Sequence, residues 1–132
     1  MNKNETPEPD GLTTIRARFA PGCGSAVDVM PGWHPLLIEL DAALAAAAPD
    51  VRYAQIKSKW GGLRVYLESG WNKAAYQLIR DAEALALRTC EQCGAPGQMR
   101  VRMRWYRTLC DGCVAADAGN PRGPWETVKA RE

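Results

Sequence analysis

Four of the five cysteines stand in two Cys-x-x-Cys pairs, Cys90 with Cys93 and Cys110 with Cys113, with sixteen residues between the pairs. No other feature limits the fold so tightly. Two thiolates separated by two residues can curl onto one ion at about 2.3 Å, and two such turns complete a tetrahedron. Gly94 after the first pair and Gly112 inside the second allow the tight backbone this needs. The spacing predicts a four-cysteine Zn2+ site, with two disulfides or a redox pair as the alternatives. A redox centre normally uses one Cys-x-x-Cys in a βαβ setting, and two matched pairs do not fit that pattern. Four thiolates leave no coordination position open, so the expected zinc is structural. Between the pairs there is little to bury beyond Met99, Val101, Met103, Trp105 and Leu109. Metal binding therefore has to supply much of the folding energy here, on the order of 10 kcal/mol.

The charge count is read with that ion in place. Seventeen basic and fifteen acidic residues give a formal +2, which four thiolates and one Zn2+ bring to about zero. Net basicity is thus no ground for nucleic-acid binding, and any cationic effect has to be local. The length, 132 residues, suits one domain with a small appended module, and an apolar fraction of 46% is that of a globular chain. Residues 1–11, MNKNETPEPDG, carry no apolar run and read as a disordered leader. With neither signal peptide nor membrane segment in view, the expected location is a reducing cytoplasm, where paired cysteines bind metal.

The rest of the chain reads as an α+β domain over 12–89. TTIRARFA alternates Thr13, Ile15, Ala17 and Phe19 against polar neighbours, the period of a half-buried strand. A helix is expected over about 35–48, with Trp33, Leu36, Leu37, Leu40 and Leu44 as its apolar stripe. VRYAQIKSKWGGLRVYLE signals a hairpin, and Gly61-Gly62 suit its two-residue turn. That turn sets Lys59 opposite Arg64 and Lys57 opposite Tyr66, with Ile56, Trp60, Leu63 and Val65 on the inner face. A second helix is expected over about 73–89, with Asn72 as N-cap. The predicted architecture is a short antiparallel sheet, the N-terminal strand plus the Gly-Gly hairpin, packed by two helices. A metal-bound module follows over 90–118, and 119–132 reads as a mobile tail.

Two surfaces are candidates for binding a partner. Arg100, Arg102 and Arg104 alternate with apolar residues, and Arg107 lies close by. They read either as a nucleic-acid surface or as a solvated face that offsets the thiolate charge. On the hairpin, the like-charged Lys59 and Arg64 face each other beside Lys57 and Tyr66, which is destabilising unless a partner or a nearby acid neutralises them. Catalysis is not expected. There is one histidine, His34, with no phosphate loop and no nucleophile elbow, and the zinc is closed. Cys23 reads as a free thiol, and Trp33, Trp60 and Trp105 as core.

The cysteine segment resembles a zinc ribbon. IKSKWGGLRVYLE is similar to a Lys-x-Lys-aromatic-Gly-x-Leu-Arg-x-Tyr element of small uncharacterised bacterial and phage proteins. In those it precedes Cys-x-x-Cys-Gly and Leu-Cys-x-x-Cys, and GWHPLLIEL looks like their aromatic-rich helix entry. The resemblance covers residues 32–113. It implies a zinc ribbon and a phage or mobile-element setting, and no catalytic residue. The expected function is a zinc-stabilised protein-binding module, with inhibition of a host or defence complex as the analogous role. The alternative is a nucleic-acid-binding ribbon. No small-molecule substrate and no membrane association are expected.

Overall fold

The computed structural model describes residues 11–128, so nearly all of the expected leader and the last four residues lie outside the described residues. The two expected helices are present as α2, His34–Ala47, and α3, Lys73–Ala86, and an N-terminal α1 spans Leu12–Ala17. Strands β1, Val27–Asp28, β2, Arg52–Lys59, and β3, Gly62–Ser69, form one sheet in that order. Beyond α3 come β4, Gln98–Arg102, β5, Trp105–Leu109, helix α4, Asp111–Ala116, and β6, Glu126–Thr127. These strands make a second sheet, ordered β5-β4-β6. The class is α+β, as expected, but the arrangement differs in three respects.

First, the segment predicted as an N-terminal strand is helical. Leu12 and Ile15, one helical turn apart, are buried, so a three-residue spacing overrides the two-residue alternation. A Cβ on Gly11 would collide with Ile38 of α2, which shows how closely the two helices approach. The end of the segment meets β2 through a single parallel bridge, Phe19 with Tyr53, made by the Arg18 carbonyl and the Ala20 N–H. The outer strand of the sheet is instead β1, and it runs parallel to β2.

Second, the hairpin turns one residue earlier than predicted. Lys59 pairs with Gly62, so the turn is Trp60-Gly61, both with positive φ (53° and 78°). The shift places Lys57 opposite Arg64, Ser58 opposite Leu63 and Ile56 opposite Val65. A bulge near Tyr53 then turns that side chain into the core. Ile56, Leu63 and Val65 are buried as expected, but Trp60 sits on the tip in solvent.

Third, the segment assigned to a tail is tied down as far as Val128. β6 pairs with β4 at Arg100 and Val101, and Val128 N–H donates to the Met99 carbonyl at 3.0 Å.

The core lies between the first sheet and helices α1, α2 and α3. Asn72 caps α3 as predicted, its side chain accepting from Ala75 N–H at 2.8 Å. Inside, Asp41 is buried yet satisfied, accepting from Tyr53 Oη at 2.7 Å and Arg18 Nε at 2.8 Å. The cysteine-bearing half is joined to this core through a seam of specific contacts. Trp33 Nε1 donates to the Thr89 carbonyl (2.8 Å), Gly32 N–H to the Glu91 carbonyl (2.7 Å), and Thr108 Oγ1 to the Gly61 carbonyl (2.9 Å). Glu91, 0% exposed, anchors the seam. Its carboxylate accepts from Thr108 N–H (2.8 Å), Arg107 (3.1 Å) and Ser58 Oγ (3.3 Å).

Candidate metal centre

The two cysteine pairs are delivered by different local structures. Cys90 N–H donates to the Ala95 carbonyl at 2.7 Å and Gly94 N–H to the Cys90 carbonyl at 2.9 Å, which curls the chain tightly enough to bring Cys93 back beside Cys90. Gly94 takes φ 86°, a conformation that disfavours a side chain. On the other side β5 ends at Leu109, and the next residue, Cys110, caps α4 with its sulfur, accepting from Cys113 N–H at 3.3 Å.

The four Sγ atoms lie within 4.8 Å of one another, and Cys93 and Cys110 are 3.6 Å apart. A tetrahedron with bonds of about 2.3 Å has edges of about 3.8 Å, whereas a disulfide needs sulfurs about 2.05 Å apart. All four are free cysteines. The geometry suits one ion held by four thiolates and does not suit two disulfides.

The titration of the thiols points the same way. Burial alone would raise Cys90, but main-chain N–H groups of Cys93, Cys110 and Gln92 aim at its sulfur and hold it at about 7, below the usual 9.0. Cys113 is pushed up to about 12, by burial first and then by the sulfurs of Cys110, Cys93 and Cys90. At Cys93 the Ala95 N–H and the Cys113 sulfur pull downward, but the Cys110 sulfur, with lesser help from desolvation and Cys90, outweighs them and the thiol is raised. Four sulfurs this close cannot all ionise without a cation among them. With one, they form a closed site.

The four predicted arginines do not form one open face. Arg100 is 5% exposed and serves the fold, donating to Asp111 (2.7 Å), the Leu109 carbonyl (3.1 Å) and Thr127 Oγ1 (3.1 Å). Arg102 pairs with Asp117 and lies 4.1 Å over the Trp125 ring, while Trp125 Nε1 donates to the same carboxylate at 3.0 Å. Arg102 thereby holds the Asp117 carboxyl below its ordinary range and pins the C-terminal segment. Arg107 binds Glu91 and the Met30 sulfur. Of the four, only Arg104 has no acidic partner among the described residues.

On the first sheet the like-charged neighbours are Lys57 and Arg64, with Asp28 of β1 beside Lys57 in the register. Lys59 instead lies 4.8 Å over the Trp60 ring. Tyr66 is exposed, across from Gln55. No described helix is long and apolar enough to cross a membrane.

No family model, curated protein or solved structure matches this chain. Function has to be read from its own surface.

That surface has a feature that sequence reasoning missed. Trp60 is 70% exposed, Met103 70% and Trp105 69%, although the sequence places Trp60 and Trp105 in the core and Met103 among the few residues to bury between the cysteine pairs. They occupy the tips of two hairpins, β2–β3 and β4–β5, and the Gly61 tip docks against Met99, Arg107 and Thr108 of the second sheet. Both turns have two residues with positive φ: Trp60-Gly61, and Met103-Arg104 at 51° and 71°. Between them lies a cleft of about 480 Å3, walled by Asp28 and Met30 on one side and by Arg104, Trp105 and Tyr106 on the other. The available signal was Trp60 before Gly61-Gly62, since an aromatic in a tight turn points outward.

Proposed function

We propose that this chain is a zinc-stabilised, non-enzymatic protein-binding module that presents its two hairpin tips to a partner. The observation that carries the reading is the exposure of Trp60 and Trp105 at one cleft, with Met103 exposed on the adjoining hairpin tip. Tryptophan, methionine and arginine are the residues enriched in the cores and hot spots of protein interfaces. Three non-glycine residues here also sit in left-handed backbone, at a cost of about 1–2 kcal/mol each. Asn-Gly would form the same turns with less strain. Strain kept at exposed tips points to use by a partner.

Zinc is favoured over other ions by four thiolates at tetrahedral spacing and by the Cys-x-x-Cys pattern. The nucleic-acid alternative is weakened because Arg100, Arg102 and Arg107 are held in internal ion pairs. The resemblance to small bacterial and phage proteins favours a bacterial host protein as partner, and a blocking role toward a host or defence complex.

The test is capture from bacterial lysate with and without nuclease, using the wild type and a Trp60→Ala/Trp105→Ala variant. The expected result is a protein retained after nuclease and lost with the double variant. Capture abolished by nuclease, and weakened steeply by roughly fourfold more salt, would replace this reading with nucleic-acid binding. Metal analysis of the purified protein should find one zinc per chain, lost in Cys93→Ser.

A further inference from the structure

Resting on the protein-binding reading, we infer that the cleft takes an extended segment of the partner as an added strand on β5, hydrogen-bonded to the main chain of Tyr106. The case begins with the direction of the main-chain groups. In an antiparallel pair, successive residues point their N–H and C=O alternately toward and away from the partner strand. Thr108 points away from β4, because its N–H donates to the Glu91 carboxylate at 2.8 Å and its carbonyl accepts from Glu91 N–H at 2.8 Å. Tyr106, two residues earlier on the same strand, has the same direction. Its outward N–H and C=O find no protein partner among the described residues, and Tyr106 lines the cleft.

Glu91 is already a one-residue strand partner on this edge. It ends the pairing itself, because its side chain supplies the second acceptor where a neighbouring strand would supply a carbonyl. The opposite sheet shows how this chain closes an edge it does not use. On β3 the outward Val65 N–H is covered by Glu83 (3.2 Å) and the Leu63 carbonyl by Arg64 (3.0 Å). Exposed edges invite strand addition unless they are blocked, and the Tyr106 edge lacks such a block.

Charge narrows the occupant. Arg107 is balanced by Glu91, whereas Arg104 in the cleft wall and Lys59, which lies over the Trp60 ring, have no acidic partner among the described residues. Asp28 is the acid on the far wall. The segment that fits is therefore an extended peptide with an acidic residue at the Arg104 end and apolar side chains against Trp60 and Trp105. Backbone pairing gives the affinity and alternate side chains the selectivity.

The probes are a short blocked peptide alternating valine with glutamate, its lysine counterpart, and an oligo-dT strand, each titrated into the metal-loaded protein. The expected result is that the glutamate peptide binds, slows exchange of the Tyr106 amide and outcompetes the lysine peptide. Tyr106→Ala keeps the amide and should keep binding. Tyr106→Pro removes an N–H that β4 does not use, so it should fold yet lose binding by about tenfold, the worth of one good hydrogen bond. An unprotected Tyr106 amide in the wild type saturated with peptide overturns the inference even if the proline variant misfolds. If the lysate partner is captured equally by Tyr106→Pro but lost with Trp60→Ala/Trp105→Ala, strand addition is wrong and the protein-binding reading stands. Salt-sensitive oligo-dT binding with neither peptide bound sinks both.

Discussion

Asp41 is a carboxylate beside a core of aliphatic and aromatic side chains, tolerated because Arg18 and Tyr53 both donate to it. The same contact raises the Arg18 pKa, through the hydrogen bond to Asp41 above all. Burial first, and then the bond to Asp41, push the Tyr53 hydroxyl well above its ordinary 10.0. Because the folded value is raised, this contribution is complete below pH 10 and is lost as pH climbs above it, by about 1.4 kcal/mol per unit. Denaturant unfolding between about pH 9 and 11 should therefore show a steeper loss in wild type than in Tyr53→Phe. At neutral pH that variant should lose about 1–3 kcal/mol, since it leaves a buried acceptor short of a donor. Glu91 is the second such residue, at the seam. Glu91→Ala leaves the buried Thr108 amide without its acceptor and the partly exposed Arg107 without its partner, and should cost about 1–3 kcal/mol in the same measurement. Glu91→Gln keeps an acceptor and should cost clearly less.

Among the elements, the two hairpin turns are where local preference and observed residue disagree. Trp60 and Met103 hold φ near the left-handed region that asparagine and glycine adopt easily. Trp60→Asn, and Met103→Asn with Arg104→Gly, should each raise stability by about 1 kcal/mol while lowering partner capture. A thermal melt beside the lysate assay checks both halves of that trade. The same turns explain which parts of the fold were legible in the sequence. α2 and α3 could be read because long apolar stripes leave one solution, and the cysteine cluster because ligand spacing is geometric. The hairpin was legible, but its register was not: Gly61-Gly62 looks like the better turn, and choosing Trp60-Gly61 instead depends on docking the tip against Thr108 and Met99. α1 was missed because in a six-residue element Ile15 fits either period, and the burial of Leu12 together with Ile15 decides. The arginines misled for a related reason. Their partners, Asp111, Asp117 and Glu91, lie off the strands, and no periodicity points to them.

At the scale of the whole molecule, the question is whether the metal centre is an appendage or part of one cooperative unit. The seam answers through Gly32, whose backbone passes so close to the Cys90 and Glu91 carbonyls that a Cβ there would collide with both. The colliding atoms are main chain, so they cannot rotate away. Gly32→Ala must push the first cysteine pair off the core, at a cost at or above the about 1–3 kcal/mol typical of overpacking. Cys90 carries a sulfur of the metal cluster on that same segment, so the displacement should also weaken metal binding. In the wild type, heating should release metal, read with a chromogenic chelator, in the same transition that exposes the buried Trp33, read by fluorescence. In Gly32→Ala the metal should leave at a lower temperature than the one at which Trp33 is exposed. Trp33 and the leucines of α2 keep their own core once the seam is broken, whereas the cysteine-bearing half has little to hold it without the ion. Coincident transitions in the variant would mean that the metal couples to the core by a route other than Gly32.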